Sequence, residues 1–185
     1  MPDPDHNIIR QVLAGNPRAF ASLVDRHKGH GMTVAMRMLK HREDAEEALQ
    51  DAFVRAYRAL ERFEFQSKFS TWFYRILYNV CATMLDKRGA APKEQFDDED
   101  ENAALVVASP DDTPDVIVET REFRTIVTEE IAALPSHYSA MLTLFLLEDC
   151  SYQEIVEITN LPIGTVKTQL FRARKLLRDR VEGRL

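Results

Sequence analysis

The sequence predicts an all-α protein: two small helical domains joined by a flexible acidic linker, the second containing a helix-turn-helix. Three observations predict it. On both sides of residues 89–118, apolar residues recur at i, i+3, i+4 and i+7, and no run alternates as a half-buried strand does. Between Gly89 and Val118, nine acidic residues meet one lysine, and three prolines break any helical period. Such a segment buries too little apolar surface to fold on its own. Finally, residues 151–178 read as a short helix, an abrupt corner and a longer helix. The expected domains are 1–88 and 119–185, with 89–118 as the linker.

Composition narrows the function. The chain has 185 residues, 45% of them hydrophobic, enough for one sizeable domain or two small ones. No apolar run is long enough to span a bilayer, and "MPDPDHNIIRQ" lacks the basic and apolar regions of a signal peptide, so a cytoplasmic location is expected. Cys81 and Cys150 are far apart and form no CxxC or Cys/His cluster; both are expected to be buried small apolar residues. Five histidines, His6, His27, His30, His41 and His137, show no metal spacing and are assigned surface or helix-end roles. There is no Gly-rich phosphate loop, no HExxH and no GxSxG, so no catalytic residue, metal or cofactor is expected.

The net charge of −6 argues at first against nucleic acid, but its distribution does not. The linker alone carries −8, and residues 163–185 hold seven Lys/Arg against two acids. A globally acidic chain therefore has a basic C-terminal end.

In chain order, the first informative element is "DAEEALQDAFVRAYRAL", residues 44–60. Ala45, Ala48, Leu49, Ala52, Phe53, Ala56 and Leu60 make a core stripe, while Asp44, Glu47, Gln50 and Asp51 cover much of the outer surface. That acidic face repels phosphate and suits a basic protein surface; taken alone, a charged outer face is usually only solvated. The second element is "FSTWFYRILYNV", residues 69–80, with five aromatic rings in twelve positions. Phe69, Phe73, Ile76 and Val80 share a core face. Tyr74 and Tyr78 point elsewhere, and Trp72, Arg75 and Asn79 form a third stripe. Rings off the core face, beside an arginine and an asparagine, suit a platform on which unpaired bases stack; packing of Trp72 and one tyrosine against neighbouring helices is the other reading.

The third element is the helix-turn-helix. Ser151 and Glu154 form a capping box, Ile155 and Ile158 face inward, and Asn160 can take the left-handed conformation that ends a helix. Pro162 and Gly164 make the corner abrupt, and a second helix starts near Thr165. Val166, Leu170, Ala173 and Leu177 form its inner face. Thr168, Phe171, Arg172 and Lys175 lie opposite, with Lys167 and Arg178 beside them, a set that combines base readers, phosphate contacts and a ring able to touch a thymine methyl. A solvated basic helix is the alternative, and the outward Phe171 counts against it.

Taken in order, "AGNPRAF", "DAEEALQDAFVRAYRAL", "FSTWFYRILYN", the acidic linker, "LPSHYSAMLTLFLLEDCSYQEIVEI" and "LPIGTVKTQLFRARKLL" resemble the extracytoplasmic-function group of bacterial RNA polymerase sigma factors over nearly the whole chain. The resemblance implies a non-enzymatic initiation subunit. Its first domain would dock on the clamp of RNA polymerase core and read the minus-ten element as single-stranded DNA. Its second would sit by the upstream-element flap and read the duplex minus-thirty-five element. By resemblance, Asp44, Glu47, Gln50 and Asp51 contact the polymerase. Phe65, Gln66, Ser67 and Lys68 of the Phe63–Lys68 loop, with Trp72, Tyr74, Arg75, Tyr78 and Asn79, bind and melt the minus-ten DNA; in the family that loop often captures a flipped base. Thr165, Lys167, Thr168, Phe171, Arg172 and Lys175 bind the minus-thirty-five DNA. Relatives are commonly held inactive by an anti-sigma factor, often membrane-bound, so such a partner is expected in a stress or envelope response. The competing readings are a helix-turn-helix repressor or activator that sees only duplex DNA, and a helical adaptor without DNA function. The acidic block Asp97–Glu101 reads either as part of a solvated tether or as a segment that competes with nucleic acid.

Overall fold

The structure, a computed structural model, describes residues 3–89 and 121–184. Among these residues every regular element is helical, as expected. The linker from residue 90, with its acidic block, lies outside the described residues.

The first unit holds α1 (Pro4–Leu13), α2 (Phe20–Leu39), α3 (Arg42–Ala59) and α4 (Phe69–Lys87). Asp3 with Pro4 at the first helical position starts α1. Helix α2 ends at Lys40, which takes the left-handed conformation (φ 63°). The α3 stripe packs inward: Ala45, Ala48, Ala52, Phe53, Ala56 and Leu60 are buried, with Leu49 half-buried against them. Those alanines let α3 approach closely. At Gly31 of α2, a Cβ would stand 2.7 Å from Leu49 Cδ1 and 3.2 Å from Phe73 Cε1, so α2, α3 and α4 meet there with no room for a side chain. Phe53 and Phe73 stack with centroids 4.4 Å apart, and Phe73 in turn stacks on Phe69.

The histidines depart from their expected surface roles at two positions. His27 lies against Phe69, and its Nε2 is 2.6 Å from Asp5 Oδ2; Arg26 donates to the other oxygen of the same buried carboxylate. A carboxyl group in this core is tolerable because both of its oxygens meet polar partners. His6 is the second exception, and its ring packs against Phe63 and Phe65. Cys81 and Cys150 are free and buried, as expected, and burial pushes each thiol up to about 12.

The second unit holds α5 (Arg121–Ala133), α6 (Ser136–Leu142), α7 (Tyr152–Thr159) and α8 (Ile163–Glu182). Between α6 and α7 the chain widens into a π-helical turn, Thr143–Leu147, which ends at Glu148. Arg180 of α8 and Arg184 just beyond its end bind Glu130 of α5 at 2.7 and 3.0 Å, and these two donors, Arg180 first, hold the Glu130 carboxyl below its ordinary range. The units also touch each other. Lys40 Nζ donates to the carbonyls of Ala132 and Leu134 at the end of α5, where the helix dipole favours a cation, and α7 packs across α4.

Candidate nucleic-acid interface

Helix-turn-helix geometry follows the local chemistry closely. Ser151 Oγ accepts from the Glu154 amide at 3.2 Å, and Glu154 Oε2 accepts from the Ser151 amide at 2.8 Å, closing the expected capping box. Ile155 and Ile158 are fully buried. Asn160 ends α7 at φ 59°, and Pro162 directly precedes α8, whose first residue is Ile163, two before the expected Thr165. Val166, Leu170, Ala173 and Leu177 are buried as expected. That inner stripe turns the opposite face outward: Phe171 is 48% exposed, Lys167, Lys175 and Arg178 are exposed, and Thr165, Thr168 and Arg172 are half-buried. Thr168 donates its hydroxyl back to the Gly164 carbonyl, which fixes its rotamer.

Not all of the basic C-terminal charge faces out. Arg180 and Arg184 are tied to α5, and Arg174 turns inward, donating to the Tyr152 hydroxyl with its guanidinium 4.7 Å from the centre of the Phe145 ring. The cations left at the outward surface of α8 are those the helical period assigns to the reading face, with Arg178 beside them.

Helix α4 is arranged differently. Phe69, Phe73 and Val80 are core, as expected, but Leu77 rather than Ile76 completes the buried row. Trp72 is half-buried, edge-on to Phe63, while Arg75 and Asn79 are exposed. Tyr74 does not lie on an open face: it is 2% exposed, because the second unit covers it. Its hydroxyl donates to Glu148, whose carboxylate also faces His30 Nδ1 at 3.1 Å. Burial first, then the bond to Glu148, push the phenol far above its ordinary value, so it stays a neutral donor. Tyr78 is half-buried on the same helix.

A second bridge joins α4 to α7. Glu154, besides capping α7, accepts from Thr71 Oγ1 at 3.1 Å and lies 3.0 Å from Lys68 Nζ. Burial alone would raise its carboxyl; the hydrogen bonds from Ser151, Lys68 and Thr71 together outweigh burial and hold it below its ordinary value. Glu148 and the second use of Glu154 have no signature in the sequence, since both depend on contacts across more than 70 residues of chain.

The loop 63–68 alternates. Phe63 is buried and Phe65 and Ser67 are half-buried, whereas Glu64, Gln66 and Lys68 are exposed. Phe65 sits at φ 59°, unusual for an aromatic residue, beneath the Arg10 guanidinium at 5.2 Å. On α3, Glu47 and Gln50 are exposed, and Asp51 is engaged by Arg55 one turn on. Asp44 is clasped by both terminal nitrogens of Arg88, which keeps its carboxyl below the ordinary range.

An all-helical chain whose second unit presents a basic, phenylalanine-bearing helix from a helix-turn-helix belongs to the class of sequence-reading DNA-binding proteins. The comparisons sharpen the class. Residues 23–91 match Sigma-70 region 2, and residues 124–177 match Sigma-70, region 4. The chain is 32% identical to the ECF RNA polymerase sigma-E factor of Haemophilus influenzae, over 96% of this chain and 95% of that one. It is 34% identical to the ECF RNA polymerase sigma factor SigW of Bacillus subtilis, over 94% of each. The chain belongs to the extracytoplasmic-function sigma factors. Its fold is also that of the sigma factor RpoE of Bartonella quintana, solved with the anti-sigma factor NepR (TM-score 0.61, 21% identity, 88% of this chain and 96% of that one).

Proposed function

We propose that this chain acts as an alternative sigma factor: it binds RNA polymerase core, directs initiation at a defined set of promoters, and is released from an anti-sigma factor when a signal arrives. The observation that carries this reading is the pairing of two helical units, each matched to a sigma region, with an outward basic face bearing Phe171 on the helix-turn-helix.

The division of labour is residues 1–88 for core binding and the minus-ten element, 89–118 as linker, and 119–185 for the minus-thirty-five element. The exposed Glu47 and Gln50, with Asp44 and Asp51, face the polymerase clamp. In Asp44 and Asp51 the carboxylate is already held by an arginine, so clamp basic groups compete with Arg88 and Arg55. Thr165, Lys167, Thr168, Phe171, Arg172 and Lys175 contact the upstream duplex. Arg75, Asn79, Trp72 and Tyr78, with Phe65, Gln66, Ser67 and Lys68, meet the melted strand. Tyr74 joins them only after α7 leaves α4, since its ring has no open face before then. The protein needs no active site of its own: binding energy on unpaired bases offsets the few kcal/mol that unstacking costs.

No helix among the described residues is long and apolar enough to cross a membrane. The protein works in the cytoplasm, and any membrane attachment comes through the anti-sigma partner. Run-off transcription with purified core on a promoter library tests the reading, because it reports core binding and sequence choice together. Promoter-specific transcripts are expected. A chain that binds duplex DNA but programmes no transcription is instead a helix-turn-helix repressor or activator.

A further inference from the structure

Helix α1 lies before the segment matched to Sigma-70 region 2, which begins at residue 23, yet its side chains reach the loop 63–68 at successive points. Asp3 caps two helices with one carboxylate: Oδ1 accepts from the Asp5 amide that opens α1, and Oδ2 accepts from the Phe69 amide that opens α4, each at 3.0 Å. Helix α4 receives no cap from Lys68, the residue in its own N-cap position, so its end is fixed from outside. One turn along α1, His6 Nε2–H donates to the Ser67 carbonyl at 3.1 Å, and the imidazole ring meets Phe63 and Phe65 edge-on. One turn further, Arg10 stands over the outer face of Phe65.

We propose that Asp3, His6 and Arg10 are positioning residues for base selection: α1 clamps the loop at Phe63, Phe65 and Ser67 so that the intervening Gln66 is presented to an unpaired base in one orientation. The inference rests on the reading of this loop as the capture site for a flipped base. The alternation of the loop carries it. Residues turned toward α1 are held by hydrogen bond, ring contact or cation–π contact, and the residues between them are exposed. A glutamine amide distinguishes bases only if its donor and acceptor ends are held in register, because it carries both within one flat group. The left-handed Phe65 supplies the turn that lifts Gln66 outward, and an aromatic residue keeps that conformation only where surrounding contacts hold it. Here those contacts come from His6 and Arg10 of α1 and from Phe63 within the loop, itself met by His6.

The test uses the full chain with polymerase core on four promoters that differ only in the base at the captured position, with open complex scored by permanganate reactivity. Gln66→Ala is expected to flatten the base preference. His6→Ala and Arg10→Ala should each lower the ratio of favoured to next base by about two- to tenfold, the worth of one hydrogen bond or comparable contact. Core affinity and dependence on the upstream element should stay unchanged. His6→Gln, which keeps a donor for the Ser67 carbonyl, should recover part of the loss. Arg10 is exposed, so Arg10→Ala keeps the test valid if His6→Ala melts the unit. If Gln66→Ala flattens the preference and Arg10→Ala leaves it as in the unaltered chain, α1 is a packing helix and the clamp is wrong. If Gln66→Ala itself changes nothing, the capture reading of the loop falls, and the clamp with it.

Discussion

Helices α4 and α8 are both assigned to DNA, and they hold their reading residues in opposite ways. Helix α8 buries one narrow aliphatic stripe and leaves its other side to solvent, so Phe171 stands 48% exposed among the described residues. Helix α4 is buried on two sides. Its phenylalanines face α2 and α3, and Tyr74 faces the second unit, where Glu148 takes its hydroxyl bond. In this conformation the face proposed to read duplex DNA is open, while part of the face proposed for the single strand is covered. The difference teaches that ring content alone does not identify a stacking platform: rings on α4 serve the core and the contact between units as well as the role proposed for them on the melted strand, and burial decides which role each can play.

The sharpest way to break that comparison is to remove one phenylalanine from each helix. Phe73→Ala deletes a fully buried ring stacked on Phe53 and Phe69 and should cost about 3–5 kcal/mol in urea unfolding. Phe171→Ala should leave stability within about 0.5 kcal/mol, as for other surface changes, and show its effect only in transcription. A large loss of stability from Phe171→Ala would mean that the outer face of α8 is packed in solution.

Next in size is the shut face itself. Tyr74→Phe removes a hydrogen bond to a charged group, worth about 1.5–3 kcal/mol, and should loosen α7 from α4. Faster amide exchange across residues 148–159 is the expected sign. Tyr74→Ala should also loosen the contact but reduce promoter opening by permanganate footprinting while duplex binding is kept. If opening is unimpaired, Tyr74 serves only the contact between units.

On the open face, Arg172→Ala or Lys175→Ala should cost about 1–3 kcal/mol of discrimination if a base-edge contact is lost, and only at promoters that depend on the upstream element. Equal losses on every promoter, with a shallower salt dependence, would assign that residue to phosphate instead.

The smallest effect expected is that of pH on the α4–α7 bridge. The Glu154 carboxyl is held below its ordinary 4.5, so its contribution is complete above that value and is lost as pH falls through the lowered one. Solvent screening at Lys68, whose side chain is 60% exposed, limits this to under about 1 kcal/mol. The Ser151 amide proton, bonded to Glu154 Oε2, should report the titration by NMR. A midpoint at or above 4.5 would show that the bridge is not closed in solution.

The sequence by itself determined what rests on neighbours a few residues apart. The capping box Ser151–Glu154, the left-handed Asn160, the buried row from Val166 to Leu177 and the alanine stripe of α3 are all set by helical period and local backbone chemistry, and each was legible. Even the Asp3–Pro4 pair carries the signature of a helix start, though not the fact that the same carboxylate caps α4. Only the tertiary structure decided which polar groups meet across distant chain. Period placed Tyr74 off the core face of α4, correctly for one helix considered alone, and the second unit, through Glu148, then met it. Asp5 with His27, Tyr74 with Glu148, and Lys68 with Glu154 are separated by 22, 74 and 86 residues along the chain. A side-chain pattern reports how a helix divides into faces; which face is covered depends on what else the fold brings against it, and that is a property of the packed molecule.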